Sequence, residues 1–413
     1  MLLEYIILSL IVLPWASAQS PGTAESYPEI HAYSCSLSEG CIQQNKSIVI
    51  DFISHPIHEA NGSTSCYNGS IDRSLCPDTS TCTQNCVVDA ANYTTHGVKT
   101  SGSAVTMHQF VTFNGNTESV SPRVYMLDID SQEYTQFNLL NGEIAFDVDV
   151  SSLVCGMNGA LYLVEMDPSG GKSDTSPAGA AYGAGYCDAQ CTARPWLNGI
   201  VNTDGSGACC NEMDLWEANA FATQLAPHAC TVEGFYACSG DDCGSDGVCE
   251  KSGCHFNPYN LGNESFYGKG ETVDTTQQFT VVTQFLTDDN TSTGTLSEIR
   301  RLYVQNGKAI VNSAATVAPV AGSSSITESF CTSQLSTYAN FGGLSALGEA
   351  LGRGMTLAMA IWTDSSAYMN WLDSGTAGPC NSTAGDPSNI EAVHPGTYVT
   401  FSNVKWGEIG STY

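Results

Sequence analysis

Residues 208–219 read Ala208-Cys209-Cys210-Asn211-Glu212-Met213-Asp214-Leu215-Trp216-Glu217-Ala218-Asn219. Three carboxylates, Glu212, Asp214 and Glu217, fall within six positions, separated by Met213, Leu215 and Trp216. A strand sends alternate side chains to opposite faces. Glu212 and Asp214 therefore point one way, and Met213 and Leu215 point into a core. Glu217 stands at an odd offset, five residues from Glu212, and on a regular strand it faces the other side. One β-bulge between Asp214 and Glu217 returns it to the face of the other two. Acids at period two usually mark a solvent face. Here the large apolar residues between them, and Cys209 and Cys210 pinning the strand start, favour a built site. Three carboxyls on one rigid face suit glycoside hydrolysis, which needs a nucleophile and a proton donor across one bond.

Outward from this stretch, strand signals dominate. Ser47–Phe52 is a buried run, and Arg123–Ile129 and Glu143–Val150 read as strands, the second clearly alternating. Ala160–Met166, Gln278–Leu286, Arg300–Gln305, Met355–Trp362 and Tyr398–Val404 follow. Helical signals are few, the best at Thr332–Tyr338 and Gly343–Leu351. The expected fold is all-β, two packed antiparallel sheets with long loops and a few short helices. No Pro/Ser/Thr linker, repeat or appended module interrupts the pattern, so residues 19–413 are expected to form a single domain.

The first eighteen residues resemble a secretory signal, with an apolar Ile6–Leu13 segment and a small-residue cleavage site at Ala16-Ser17-Ala18. Its n-region is weak, holding Glu4 and no Lys or Arg. No later stretch is long and apolar enough to cross a membrane. The expected product is secreted, extracellular and soluble. Eighteen cysteines in such a chain imply disulfides. Sequons at Asn45, Asn61, Asn68, Asn92, Asn263, Asn290 and Asn381 agree with that route. Lys plus Arg number 13 against 42 Asp plus Glu, a formal charge of -29. Nucleic acid and anionic membrane are poor partners for that surface, whereas a neutral polysaccharide meets no repulsion. The charge itself is expected mainly to keep the protein soluble and monomeric. No metal motif is evident, and no cofactor is expected.

The block from Asn211 to Asn219 resembles the active-site strand of glycoside hydrolase family seven, the cellulases of fungi and other eukaryotes. The resemblance runs along nearly the whole mature chain. Its further motifs include Leu75-Cys76-Pro77-Asp78, Phe146-Asp147-Val148-Asp149, Asn158-Gly159-Ala160-Leu161-Tyr162, Tyr186-Cys187-Asp188-Ala189-Gln190-Cys191, Phe256-Asn257-Pro258-Tyr259, Phe266-Tyr267-Gly268, Trp371-Leu372-Asp373-Ser374 and Phe401-Ser402-Asn403-Val404. The family implies a β-jelly-roll of two large curved sheets, with a substrate cleft on the concave face and a retaining mechanism on β-1,4-glucan. By matching positions Glu212 is the nucleophile, Glu217 the general acid/base, and Asp214 the carboxylate that tunes Glu212. A retaining pair should stand about 5–5.5 Å apart. His228 matches a cleft histidine near the leaving-group side. Tyr162, Asp188, Gln190, Asn158 and Arg123 match polar residues that contact glucose hydroxyls on the non-reducing side. Trp362 and Trp371 match sugar-stacking platforms, where indole meets the apolar C–H face of a pyranose. Trp216 lies between the acids but points oppositely, and reads as core.

The resemblance also implies the pairings Cys35–Cys41, Cys66–Cys86, Cys76–Cys82, Cys155–Cys380, Cys187–Cys210, Cys191–Cys209, Cys230–Cys249, Cys238–Cys243 and Cys254–Cys331. Family members divide by loops that either roof the cleft into a tunnel or leave it open. Several such segments are short here: Asn198–Cys209, Cys243–Cys249 and Leu372–Pro379. Asp51–His58 replaces a segment that often carries two tryptophans, and Asn260 stands where many members have an arginine. These departures point to an endoglucanase. The alternatives are a processive, reducing-end cellobiohydrolase of the same family and, in another class, a non-catalytic glucan-binding lectin.

Overall fold

The computed structural model describes residues 20–413, so the expected leader at residues 1–18 lies outside the described residues. A continuous hydrogen-bonded sheet of 17 strands folds over on itself into two facing layers. The strand Gly40–Ile50 links them: it pairs along its length with Glu29–Ser36, and its last residues, Ser47–Ile50, pair with Arg123–Asp128. One layer runs, in order, Thr223–His228, Glu212–Ala218, Met157–Val164, Met355–Thr363 and Arg123–Asp128, every pair antiparallel. The other runs Leu296–Gln305, Phe279–Thr287, Gly142–Asp149 and Tyr398–Glu408, again antiparallel. Glu29–Ser36 joins Tyr398–Glu408 in parallel, a departure from the purely antiparallel expectation.

The layers meet over a core that the alternation dictates. Leu161, Leu163, Met213, Leu215 and Trp216 project from one side, and Phe146, Val281, Phe285, Tyr303 and Phe401 from the other. Trp216 is fully buried, as its position on the strand predicts, and is ringed by Phe146, Tyr267, Phe279 and Tyr303 with ring centroids 5.7–6.4 Å away. Burial of so large a side chain is worth about 3–5 kcal/mol against alanine.

Every expected strand is present, with shifted ends. The run expected over Ser47–Phe52 stops at Ile50 because Asp51 turns its carboxylate to cap the short helix Phe52–Ser54, accepting from the Ile53 N–H. The helix expected over Thr332–Tyr338 occupies Glu328–Gln334 instead. Thr327 sets its start: its hydroxyl accepts from the Phe330 N–H at 3.2 Å, an N-cap that fixes the first turn earlier than the apolar periodicity suggests. The helix expected over Gly343–Leu351 runs on to Arg353.

All nine expected disulfides are formed. Two of them, Cys187–Cys210 and Cys191–Cys209, clamp the loop carrying Asp188, Ala189 and Gln190 against the start of the Glu212 strand. Of the seven sequon asparagines, Asn45, Asn61, Asn68, Asn92, Asn290 and Asn381 are exposed.

Candidate active site

The strand Glu212–Ala218 carries the bulge that its sequence demands. Against Thr223–His228 the register passes from Asp214 opposite Ala226 to Glu217 opposite Gln224, so three steps on one strand meet two on the other. Against Met157–Val164 it slips in the same place, between Leu161 and Leu163. The extra residue lets Leu215 and Trp216 both enter the core, while Glu212, Asp214 and Glu217 all line one cleft. The bulge has its own brace. Arg301, buried between the layers, donates from Nη2 to the Leu215 carbonyl and to the Thr283 hydroxyl, with its guanidinium beside the Trp216 ring.

Each acid has distinct partners. Glu212 Oε2 accepts the Ala189 backbone N–H at 3.0 Å. Glu217 accepts from Asn158 Nδ2 at 2.8 Å and from Gln224 Nε2 at 2.7 Å, one donor on each oxygen. Asp214 Oδ2 faces His228 Nε2 at 3.0 Å, and His228 Nδ1 donates to the Glu250 carbonyl at 3.0 Å. Gly253 makes room for this ring: it has φ +74°, and a Cβ there would stand 2.7 Å from His228 Cε1.

Burial, then the charge of Asp214, pushes Glu217 up to about 7, against the pull of its two amide donors. Burial and the charges of Asp214 and Asp188 also push Glu212 up, opposed by His228 and the Ala189 N–H. Burial alone disfavours a charged His228. The hydrogen bond and charge of Asp214, with Glu212 and Glu250 behind it, overcome that and raise the ring to about 10. The imidazolium is therefore a fixed cation inside the acidic cluster.

The acids sit in a cleft of about 810 Å³. Its floor follows a register row across the sheet, from Gln224 through Glu217, Ala160 and Ala360 to Arg123. Alanines in this row leave the trench open between the acids and its far end. Tyr162, Asp188, Gln190, His228, Trp362, Trp371 and Arg123 all line it, so the structure gathers these expected residues with the acids. Tyr162 shares a 3.2 Å hydrogen bond with Tyr186, and burial holds its hydroxyl up at about 12. Gln190 Nε2 bonds the Lys251 carbonyl at the rim. Trp362 and Trp371 stand as neighbours, ring centroids 6.1 Å apart and planes inclined by 33°. The Trp371 turn is tied to the acid-bearing strand, since Asp373 Oδ2 accepts from Asn219 Nδ2 and the Gly156 N–H, both at 2.7 Å.

Asn158 departs from the expected sugar contact. It is fully buried and absent from the cleft lining; its amide holds Glu217 and its carbonyl accepts the Ala218 N–H. Gln224 was not anticipated, although a signal existed: Gln224, Ala226 and His228 alternate on the next strand and so share the acids' face. Asp51, Arg194 and Tyr186 also line the cleft and were missed, because they come from two distant loops. The atoms of Glu212, Asp214 and His228 converge within 4.8 Å, a donor set that the 3.0 Å Asp214–His228 pair already occupies.

A family model described as "Glycosyl hydrolase family 7" matches residues 20–413. Endo-beta-1,4-glucanase celB of Aspergillus oryzae is 53% identical over 405 residues, covering 97% of each chain. The native structure of Humicola insolens endocellulase EGI superposes with a TM-score of 0.91 at 44% identity, covering 95% of this chain and 100% of that one. A GH7 family cellobiohydrolase from Daphnia pulex superposes with a TM-score of 0.90 at 36% identity, with the same coverage.

Proposed function

The chain belongs to glycosyl hydrolase family 7, and from that premise we propose how its cleft acids divide the work of a retaining endo-β-1,4-glucanase. Glu212, as the carboxylate, attacks the anomeric carbon while Glu217 gives its proton to the departing glycosidic oxygen. The covalent glycosyl ester on Glu212 is then hydrolysed by a water that Glu217, now the base, deprotonates. Two inversions retain the configuration. Asp214 holds the imidazolium of His228 beside Glu212, and the Ala189 N–H is the backbone donor to the carboxylate form.

The observation that carries this reading is the bulge. Without it Glu217 would lie beneath the sheet among Phe146 and Tyr303, and no proton donor would face Glu212. Burial that lifts Glu217 to about 7 keeps it protonated in mildly acid solution, as a general acid requires, while the His228 cation and the Ala189 N–H favour the ionised form of Glu212 against its own burial. Trp362 and Trp371 supply stacking surface; Tyr162, Asp188 and Gln190 supply polar contacts along the glucan. Internal cutting is supported by the short segments at 198–209 and 372–379, and by the endoglucanase names of the relatives. We further propose that the leader directs the protein out of the cell, and that residues 19–413 act as one monomeric domain needing no cofactor. Among the described residues no helix is long and apolar enough to cross a membrane.

Viscometry of a soluble cellulose derivative tests the reading, with released reducing ends counted in parallel. Internal cutting drops viscosity well ahead of sugar release, and proton NMR shows the β-anomer first. A slow fall with cellobiose dominating would favour the processive alternative; no release of reducing ends would favour the lectin.

A further inference from the structure

The far end of the register row holds an unusual surplus of positive charge. Asp51 Oδ2 accepts from both Nε and Nη2 of Arg123 and from the Tyr125 hydroxyl, the last at 2.7 Å. Those bonds already satisfy a buried carboxylate, 3% exposed as a residue, and one guanidinium already neutralises it. Arg194 nevertheless brings a second guanidinium to the same oxygen, its Nη2 at 3.0 Å. Both cations also gather over Tyr186, with Cζ of Arg123 at 3.4 Å and of Arg194 at 4.9 Å from the ring centroid. The Nη1 groups of both arginines have no partner among the described residues, and both side chains keep some exposure to the cleft, 19% and 17%.

In a chain with only 13 Lys and Arg and a net charge of -29, two of them meet at one end of the substrate trench. Lys251, which also lines the cleft, has its ammonium engaged by the carbonyls of Gln190 and Cys243. Asp188 and Asp364, the remaining acids lining the cleft, have oxygens that accept from the Cys191 N–H and from Ser366 respectively. A cationic end beside an acidic centre sorts a charged polymer by position: a carboxylate is repelled near the three acids and attracted near the arginines. Three strand spacings of about 4.8 Å separate Arg123 from Glu217 along the row, so the attraction acts roughly 14 Å from the reacting bond.

We propose that Arg123, Arg194 and Tyr186 form a subsite for a uronic acid carboxylate borne by a β-1,4-linked polysaccharide, such as a glucuronic acid-substituted xylan. The proposal rests on the glycanase reading above and names a substrate class for it. Guanidinium groups with free N–H donors suit a carboxylate in geometry and charge, and Tyr186 is the ring on which Arg123 rests.

The test compares kcat/KM on glucuronoxylan and on the same polymer after its carboxyls are chemically reduced to neutral alcohols, with mixed-linkage glucan as the reference substrate. The wild type should prefer the charged form by about tenfold at roughly 0.1 M salt, where a Debye length of about 10 Å screens the net negative charge but not contact with the arginines, and lose that preference near 1 M, where the Debye length is about 3 Å. Arg194→Gln should collapse the preference, and Arg194→Lys should restore part of it. Products of the charged polymer should carry the uronic acid at one fixed distance from the new reducing end. A wild-type ratio at or below one overturns the proposal, as does a ratio that Arg194→Gln leaves intact. Glucan cleavage without cleavage of either xylan overturns it too. Failure on mixed-linkage glucan as well would instead overturn the glycanase reading.

Discussion

His228 Nε2 lies 3.0 Å from Asp214 Oδ2, and the same ring is anchored at Nδ1 by the Glu250 carbonyl at 3.0 Å. The anchored ring is thus the compensating charge for a crowd of buried acids. Its two bonds fix both its position and its protonation.

Removing that charge should alter the acid side of the pH profile. In His228→Asn the buried carboxyls lose their cation, so Glu212 takes up a proton more readily. The acid limb of kcat/KM on a soluble glucan should move to higher pH by about one unit or more, and kcat should fall. An unmoved limb would show that the histidine serves structure alone.

The alkaline limb should belong to Glu217. Its pKa of about 7 predicts that kcat/KM declines above neutrality as the proton donor is lost, while His228, at about 10, stays charged through that range. Asn158→Ala deletes a donor that favours the ionised form, so the limb should shift upward. Because Asn158 touches Glu217 and does not line the cleft, kcat should suffer more than KM. A pure KM effect would restore it as a sugar contact.

Glu217 should cost stability in proportion to its usefulness. Its folded pKa of about 7 stands above the ordinary 4.5, so the folded protein holds the proton more tightly than the unfolded chain does. That advantage is complete below 4.5 and is lost as pH rises through 7. Glu217→Gln cannot ionise, so it should be inactive yet relatively more stable above neutrality, by up to about 3 kcal/mol. Thermal melts at pH 4 and pH 8 read this out as a mutant-minus-wild-type difference that grows with pH.

The brace beneath the bulge should matter to both fold and rate. Arg301→Met leaves the buried Leu215 carbonyl without its donor, a loss of about 1–3 kcal/mol. The melting temperature should fall, and kcat should fall with little change in KM as Glu217 loses its fixed aim. Wild-type melting would show that the carbonyl finds another partner.

The acid trio was legible because a strand's period of two makes five an awkward offset, and only a bulge reconciles Glu217 with Glu212. Trp216 could be assigned to the core on the same grounds. The strand inventory was also legible, since alternating or continuous apolar runs survive wherever a layer is buried. Helix ends were less so: Thr327 caps by a single hydroxyl that no periodicity reveals. The placement of Asn158 was not legible, because its strand position gives proximity to the cleft but does not say whether its amide faces the cleft or Glu217. The meeting of Asp51, Arg194 and Tyr186 was not legible, because it depends on how two distant loops converge in space.

Ala160 and Ala360 keep the cleft floor low between the acids and the arginines. One branched residue at either position would act as a dam, shortening the stretch of sugar rings the protein can grip while the backbone stays in place. The measure of substrate this enzyme reads is written in its smallest residues.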